Sequence, residues 1–493
     1  METLNLPKII NGELIYPVKG EDVTVLQYDN LKIIMPIVTE SDLMKIQKEG
    51  PAITNELLKL TISDITEFLN KVAIEWDKLN TKGRKMASKY APMVTNYTDV
   101  IIEGDYKTIA DFLIQRFHIY DQVEAEFGNQ RIFDEWIPSQ MCYVKAFPRG
   151  LVLHYLVGNL PLVSMYSILR GIITKNRNFA KIPSRDPITP IGLIQSIIEI
   201  DPNHPISRSL SLGYWDHNDK IGDEFIKNCN SINLWGGRNV MKNVKKKLPP
   251  NITIDEYGPK WSASVIDLTC CDMEKAAFRL IEDSAYYDQE ACLNSQRAFV
   301  KGDIDIFIEY LKKYFQIFSK NVPYVNSNPD ISANRSISLS QAKYVGLRVE
   351  HGDDWAIIVI DPQNIFEIQH PLARTIFLHK IEDFKEIAEY FNNDSQTLGV
   401  FPWSLSEKYR DEWAAHGICR IVELGWSRIF RAGFTLDGLR GMHSLVRIAC
   451  IERPWTDSGR YYNYRENMEQ YWFLDKYPQY KVYIDSKIKP NLD

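Results

Sequence analysis

Apolar residues recur three and four positions apart in ISDITEFLNKVAIEW, inside a stretch, 53–128, whose pattern predicts mostly helix. The period then changes. MCYVKAF and LVLHYLV are short β-rich runs separated by the turn signal PRG. A regular alternation follows. LVSMYSILRGII predicts a helix, NFAKI a strand, PIGLIQSIIEI a helix, LSLGYW a strand and IGDEFIKNC a helix. SINLW then predicts a strand, VMKNVKKK a helix and NITIDEYG a strand. Strands alternating with helices imply a parallel sheet covered on both faces, an α/β architecture of nucleotide-binding style.

A second set begins with strand SASVIDL, helix MEKAAFRLIEDSA, strand RAFVKG and helix DIFIEYLKKYFQIF. An irregular region is expected at roughly 320–345. Strands WAIIVID and TIFLHKI, helix DFKEIAEYF, strand LGVFPW and helix EKYRDEWAAHG follow, and predict a second α/β domain. The tail from Trp455 is rich in aromatics and charge and is expected to pack on a partner surface or subunit.

At 493 residues the chain is too long for one ordinary core, so two or three domains are the default. Hydrophobic residues are 45% and charged residues 25%, the soluble globular norm. A net charge of −6 argues against a general nucleic-acid binder, because phosphate contacts need clustered Lys and Arg. The main basic run, Lys242, Lys245, Lys246 and Lys247, reads as a solvated helix end. METLNLPKIINGELIYP has no signal-peptide pattern, and no apolar stretch is long enough to span a bilayer. No membrane insertion and a cytoplasmic location are expected. Seven cysteines, odd in number and scattered, fit reduced thiols better than a disulfide framework. The nine histidines make no paired metal spacing with them, so no metal is expected. Adjacent Cys270 and Cys271 lack a second pair and read as packing residues.

Four short stretches carry candidate chemistry. In AYYDQEACLNSQR, Cys292 lies in a polar loop between a helix and a strand. A structural Cys usually lies in an apolar run, as Cys450 does in LVRIAC, so Cys292 is read as either a nucleophile or a packing residue. In VGNLPL, Pro161 suits a first helical turn, and Asn159 is either an oxyanion donor or a helix cap. In KIPSRDP, Lys181 and Ser184 fall at the carboxyl end of a strand, where open α/β sheets bind ligands. In WGGRN, Gly236 and Gly237 allow close backbone approach at a helix N-terminus, a natural phosphate site.

Taken in order, GNLPL, KIPS, WGG, DEYGPK, QEAC and EIQHP resemble the aldehyde dehydrogenase superfamily, whose counterparts read WNFPL, VKPSE, TGS, LELGGK, GQxC and EIFGP. The likeness runs from about Ser139 to Arg453. A narrower likeness is stronger. EWIPSQMCYVKAFPRG, DPNHPISRSLSLGYW, FPWSLSEKYRD and DGLRGMHSLVRIACIERP resemble the long-chain acyl-CoA reductase family, the LuxC family known from bacterial bioluminescence.

The resemblance implies an aldehyde dehydrogenase-like α/β fold: a Rossmann-type cofactor domain, a second α/β catalytic domain, and an oligomerisation hairpin and tail. The expected division is a largely helical part of the cofactor domain at 1–134, the hairpin at 135–156, the Rossmann-type domain at 157–262, the catalytic domain at 263–445 and the tail at 446–493.

By residue, the resemblance makes Cys292 the nucleophile that forms an acyl-enzyme, and Asn159 the oxyanion donor beside the Cys292 backbone N–H. Lys181 would contact the cofactor ribose, Gly236 the nucleotide-binding turn, and Glu367 the nicotinamide ribose. Ser184 stands where many NAD-dependent relatives carry Glu. With Arg185 beside it, Ser184 leaves room for a 2′-phosphate, which implies NADPH; the alternative is two exposed turn residues. Glu256 matches the superfamily Glu that activates water. It reads as an acid or base, or as an inert carboxylate at a strand end.

The implied activity is NADPH-dependent reduction of an acyl thioester, from acyl-CoA or an acyl-protein and fatty by the family's habit, to the aldehyde. Alternatives are oxidation of an aldehyde to the acid with Glu256 as base, and reduction of an aryl or aminoacyl thioester, for which the 26 Tyr and 11 Trp offer pocket material. An acyl-protein synthetase partner and a homo-oligomer are likewise implied by the resemblance.

Overall fold

The computed structural model describes residues 1–139, 142–325, 329–360 and 368–452. The chain divides into two compact units, 1–130 with 148–447, and 131–147 with 448–493.

The larger unit opens in strands rather than helices: β1 (Glu2–Asn5), β2 (Lys8–Ile10), β3 (Glu13–Ile15), β4 (Val23–Gln27) and β5 (Leu31–Pro36). The alternation of VTVLQ and LKIIMP has the period of two that buries one face of a strand, and β1-β5-β4 form a small sheet. The expected helices follow as α1 (Glu40–Leu57), α2 (Ile62–Asp77), α3 (Lys82–Thr95), α4 (Asp99–Thr108) and α5 (Arg116–Phe127). Thr39 and Thr61 start α1 and α2 with capping boxes closed by Asp42 and Asp64.

The smaller unit carries the sheet β20-β7-β6, built from β6 (Ile137–Pro138), β7 (Cys142–Pro148) and β20 (Val446–Glu452). Within it Lys145 Nζ donates to the Asp134 carbonyl at 2.7 Å. Most of the tail, 453–493, lies outside the described residues.

The runs on either side of PRG do not form a hairpin. β7 is half-exposed and pairs with β6, Ile137 opposite Val144. The second run is β8 (Leu151–Tyr155), buried at every position, a central strand of another sheet. Continuous burial marks a strand covered on both faces, which period-two alternation does not describe.

The alternating elements follow as α6 (Pro161–Ile173), β9 (Arg177–Lys181), α7 (Ile188–Ile200), α8 (Pro205–Arg208), β10 (Leu210–Gly213), α9 (Ile221–Asn228), β11 (Ser231–Trp235), α10 (Arg238–Lys245) and β12 (Thr253–Tyr257). Their sheet runs β12-β11-β8-β9-β10-β2-β3, parallel from β12 to β10, with β2 antiparallel to β10 and β3 antiparallel to β2 at the edge. From β8 the chain steps outward to β9 and β10, then returns to β11 on the other flank. The reversal opens a crevice between β8 and β11.

The second half of the larger unit comprises β13 (Trp261–Asp267), α11 (Met273–Ala285), β14 (Ser295–Lys301), α12 (Ile304–Asn321), α13 (Pro329–Tyr344), β15 (Val349–His351), β16 (Ala356–Ile360), β17 (Thr375–Lys380), β18 (Ser395–Phe401), α14 (Ser404–Ala415) and β19 (Arg420–Glu423). Its sheet runs β15-β16-β17-β14-β13-β18-β19. Two expectations change here. The region expected to be irregular holds α13, whose polar sequence gives almost no amphipathic signal because little of the helix is buried. DFKEIAEYF makes only a 3₁₀ turn, Glu386–Tyr390.

One close approach ties the first parallel sheet to α6. A Cβ on Gly171 would lie 1.8 Å from Asn178 Oδ1. That oxygen pairs with His154 Nε2 at 3.0 Å, and His154 Nδ1 pairs with Ser167 Oγ at 2.9 Å, all fully buried. Gly171→Ala is expected to destabilise the protein by about 1–3 kcal/mol, as overpacking does. A lowered urea midpoint with unchanged slope checks this; an unmoved midpoint contradicts it.

Candidate active site

The crevice predicted by strand order is occupied by a cavity of about 440 Å³. Residues Val157–Leu160, which follow β8, and Gly236 and Gly237, which follow β11, line one side. Cys292, just before β14, lines the other. The carboxyl ends of one sheet thus meet the amino ends of the other across the cavity.

The loop that carries Cys292 is conformationally costly. Tyr287, Asp288 and Gln289 all have positive φ, 56°, 51° and 66°, and none is glycine. Each such residue costs about 1 kcal/mol or more and persists only where its surroundings over-determine it. A second left-handed run, Leu372, Ala373 and Arg374, with φ of 61°, 53° and 54°, supplies those surroundings. Arg374, fully buried, meets Asp288 Oδ1 at 2.7 Å, Asp354 Oδ2 at 2.7 Å and the Val322 carbonyl at 2.9 Å. Gln289 Nε2 donates to the carbonyls of Thr375 (2.7 Å) and Ser295 (2.8 Å), and its Oε1 accepts from Thr375 N–H (2.8 Å). Burial pushes the Asp288 carboxyl up to about 6, against the pull of Arg374.

Beyond the turn, Ser262 Oγ donates to the Cys292 carbonyl at 2.7 Å, and Asn294 Oδ1 accepts the Ala291 N–H at 3.1 Å. The thiol is thereby held at the cavity wall. Burial, and then the negative charge of Asp437, push it up to about 11. Gln396 and the backbone N–H groups of Cys292 and Leu293 act in the opposite sense. Gln396 Nε2 lies 3.3 Å from Cys292 Sγ and 2.6 Å from Asp437 Oδ1.

Asn159 is not a helix cap. Leu160 occupies that position before α6, and Asn159 Nδ2 reaches across to the Glu290 carbonyl at 3.0 Å, two residues before Cys292. Tyr97 OH fixes the Asn159 backbone by donating to its carbonyl at 2.7 Å.

The remaining candidates divide between two places. Gly236 and Gly237 lie in the cavity, with Gly237 starting α10 and no side chain within 4 Å of where its Cβ would be. Lys181 ends β9 in a separate cavity of about 120 Å³ with Tyr155, Trp215, Val240 and Lys247. Burial lowers the Lys181 ammonium to about 8. Ser184 accepts a hydrogen bond on its carbonyl from Tyr28 OH.

Arg185 is placed differently from expectation. It lies in the Cys292 cavity, ion-paired to the buried Glu290 and facing Tyr97, not in the cavity of Lys181. Its attraction to Glu290 holds it there. Glu256 is also displaced. Strand alternation turns Asp255 and Tyr257 inward and Glu256 to the other face, where it pairs with Lys245 of α10 at 2.9 Å. Tyr257 and Gly258 line the cavity and Glu256 does not. Glu367 lies outside the described residues. Gln396, Asp437 and Glu290 were not singled out from sequence; only the tertiary pairing of β18 with β13 brings Gln396 to Cys292. Among the described residues, no group of His, Cys, Asp and Glu could hold a metal ion, and no helix is long and apolar enough to cross a membrane.

Residues 57–448 match the Acyl-CoA reductase (LuxC) family. The chain is 36% identical over 438 residues to a long-chain acyl-protein thioester reductase of Photobacterium phosphoreum, covering 88% of each chain. It is 33% identical to the protein of that name from Vibrio harveyi, over 92% of this chain and 94% of the relative. Solved structures of like fold include aldehyde dehydrogenase 21 of Physcomitrella patens (TM-score 0.71, 15% identity, 92% and 100% coverage). Another is the NADP-dependent glyceraldehyde-3-phosphate dehydrogenase of Bacillus halodurans (TM-score 0.70, 13% identity, 92% and 100% coverage).

Arg374→Met strands Asp288 as a buried unpaired carboxylate and is expected to cost about 3–5 kcal/mol. The double variant with Asp288→Leu is expected to recover part of that loss. Chemical unfolding of both checks this, and equal losses in the two variants would show that the pair does not hold the turn.

Proposed function

We propose that this chain, which belongs to the acyl-CoA reductase (LuxC) family, reduces an acyl thioester to the free aldehyde with a nicotinamide cofactor, through an acyl intermediate on Cys292. The observation that carries the reading is the position of Cys292: a thiol on an over-determined turn, facing the carboxyl ends of a cofactor-type sheet.

Cys292 Sγ attacks the thioester carbon, and the donor thiol departs. As the carbonyl oxygen gains negative charge, Asn159 Nδ2 and the Cys292 backbone N–H are the donors that receive it. The Glu290 carbonyl now holds the Asn159 amide at the wall where that charge develops. The acyl group then stays on the protein, because Glu256, the superfamily's water-activating residue, is paired with Lys245 instead of lining the cavity. This favours reduction over oxidation to the acid.

The residues present fit a dinucleotide. Gly237 leaves open space at the start of α10, and the buried Trp235 Nε1 and Arg185 Nη2 lack hydrogen-bond partners at the cavity. Lys181, with the apolar walls of its own cavity, suits an adenosine ribose. Bound there, the cofactor supplies hydride to the acyl carbon. Lys181 and Ser184, with no acidic residue at position 184, favour NADPH over NADH.

The acyl donor is an acyl-protein or acyl-CoA with a fatty chain, as the relatives' names suggest. An acyl-protein synthetase is the matching partner, and the 131–147 and 448–493 unit is the element through which a homo-oligomer assembles.

Intact-protein mass spectrometry after mixing with a panel of acyl-CoAs tests the reading. Wild type is expected to gain one acyl group that NADPH removes as aldehyde, and Cys292→Ala to gain none. Asn159→Ala is expected to slow acylation by about two orders of magnitude. Acylation of Cys292→Ala, or free acid as the product, would contradict the proposal.

A further inference from the structure

We infer that Gln396 is a catalytic hydrogen-bond donor to the Cys292 thiolate, with Asp437 as the positioning residue that turns its amide the right way. The inference rests on Cys292 being the acylated residue.

Gln396 is the second residue of β18 and is 2% exposed. Its side chain sits between the thiol and a carboxylate, with Nε2 in bonding distance of both, 3.3 Å from Sγ and 2.6 Å from Asp437 Oδ1. A primary amide has two N–H groups, so one nitrogen serves both partners. An ionised carboxylate can only accept. Asp437 therefore forces the NH₂ end, not the oxygen, toward the cavity, and Oε1 is left facing Thr397 Oγ1 at 3.4 Å. Asp437 is itself fixed: its φ is 52° and it lies in the Leu436–Leu439 turn.

Without such a donor the site opposes ionisation. Asp437 places negative charge near Sγ, while the positive charges acting there are Arg420 of β19 on Cys292 and Lys260, in the loop before β13, on Asp437. Arg420 is already turned to the carbonyls of Ser427 and Ile429. Gln396 thus supplies a side-chain N–H directly at Sγ.

The reaction needs that N–H twice. In acylation the Sγ–H bond breaks and its proton leaves. Sγ bonds the acyl carbon, the bond from that carbon to the donor sulfur breaks, and the departing thiolate takes up a proton. Hydride from NADPH then reaches the acyl carbon, and its oxygen takes a proton to give a thiohemiacetal on Cys292. In the collapse the hydroxyl proton leaves and C=O forms. The C–S bond breaks with its electron pair on Sγ, which then regains a proton. The sum is acyl thioester, NADPH and a proton giving aldehyde, thiol and NADP⁺. Sγ carries charge at the first and last steps, and hydrogen bonds to charged groups are the strong ones.

The test is alkylation of Cys292 by iodoacetamide, followed across pH by mass spectrometry of the Cys292 peptide, with neither substrate nor cofactor present. Only the thiolate reacts, so the rate follows its population. Gln396→Met, or Gln396→Leu if that variant does not fold, is expected to react about tenfold more slowly at neutral pH, a shift of about one pH unit in the profile. Asp437→Asn keeps an acceptor for Gln396 but removes the opposing charge, and is expected to react several-fold faster. A purely structural role would not give opposite signs. Rates within twofold of wild type for Gln396→Met would overturn the inference. So would a tenfold loss in Asp437→Asn, which would make Asp437 the base. If the opposite signs appear but acyl-CoA leaves no adduct, the donor stands and the proposed reaction fails.

Discussion

The ion pair between Arg374 and Asp288 holds two left-handed turns against each other, and the site depends on it. Neither turn is one that its own residues favour. Six non-glycine positions with positive φ cost several kcal/mol together if each costs about 1 kcal/mol. They persist because Arg374 spends its guanidinium on Asp288, Asp354 and a carbonyl, while Gln289 spends its whole amide on backbone groups of β14 and β17. Cys292 is presented by that turn, three residues beyond Gln289. Its position relative to Asn159 is therefore set by the core beneath β14 and β17, not by a free loop.

The same economy explains the cavity. The chain reverses direction across β8, so two consecutive strand ends, at Tyr155 and Trp235, splay apart and leave a crevice. The glycines at 158, 236 and 237 keep the backbone low there. A Cβ on Gly158 would strike Arg185 at 2.6 Å, so the close packing of Arg185 against this strand end follows from a missing side chain. Arg185 in turn neutralises Glu290, which would otherwise stand as a bare carboxylate two residues from Cys292.

Much of this was legible in the sequence, and the failures have physical reasons. The alternation from LVSMYSILRGII to NITIDEYG placed β9 to β12 and their helices, because strands in a parallel sheet alternate with the helices that cover it. Cys292 stands out because its loop is polar and joins a helix to a strand, while Cys450 lies in the apolar run LVRIAC. The strands at 2–36 give little sequence signal because strands of three to six residues carry few residues per face. α13 escaped because it is mostly exposed. The side-chain directions of Arg185 and Glu256 are not legible in sequence for one reason: a motif assigns a residue to a strand end, but ion-pair partners elsewhere in sequence, Glu290 and Lys245, decide which way its side chain turns. Gln396 and Asp437 carry no local signal at all. They reach Cys292 only through sheet order and a turn far along the chain.

The central claim is that one thiol holds the acyl group until hydride arrives and that water does not intervene. The most direct measurement is a single turnover of isolated acyl-enzyme. Protein acylated on Cys292, freed of acyl-CoA, is mixed with NADPH deuterated on the transferred face, and both product and protein mass are followed. The account predicts one aldehyde per acyl group, carrying one deuterium on its carbonyl carbon, with the protein returning to its unmodified mass. Release of free acid, or an acyl-enzyme that persists while NADPH remains unoxidised, would contradict it.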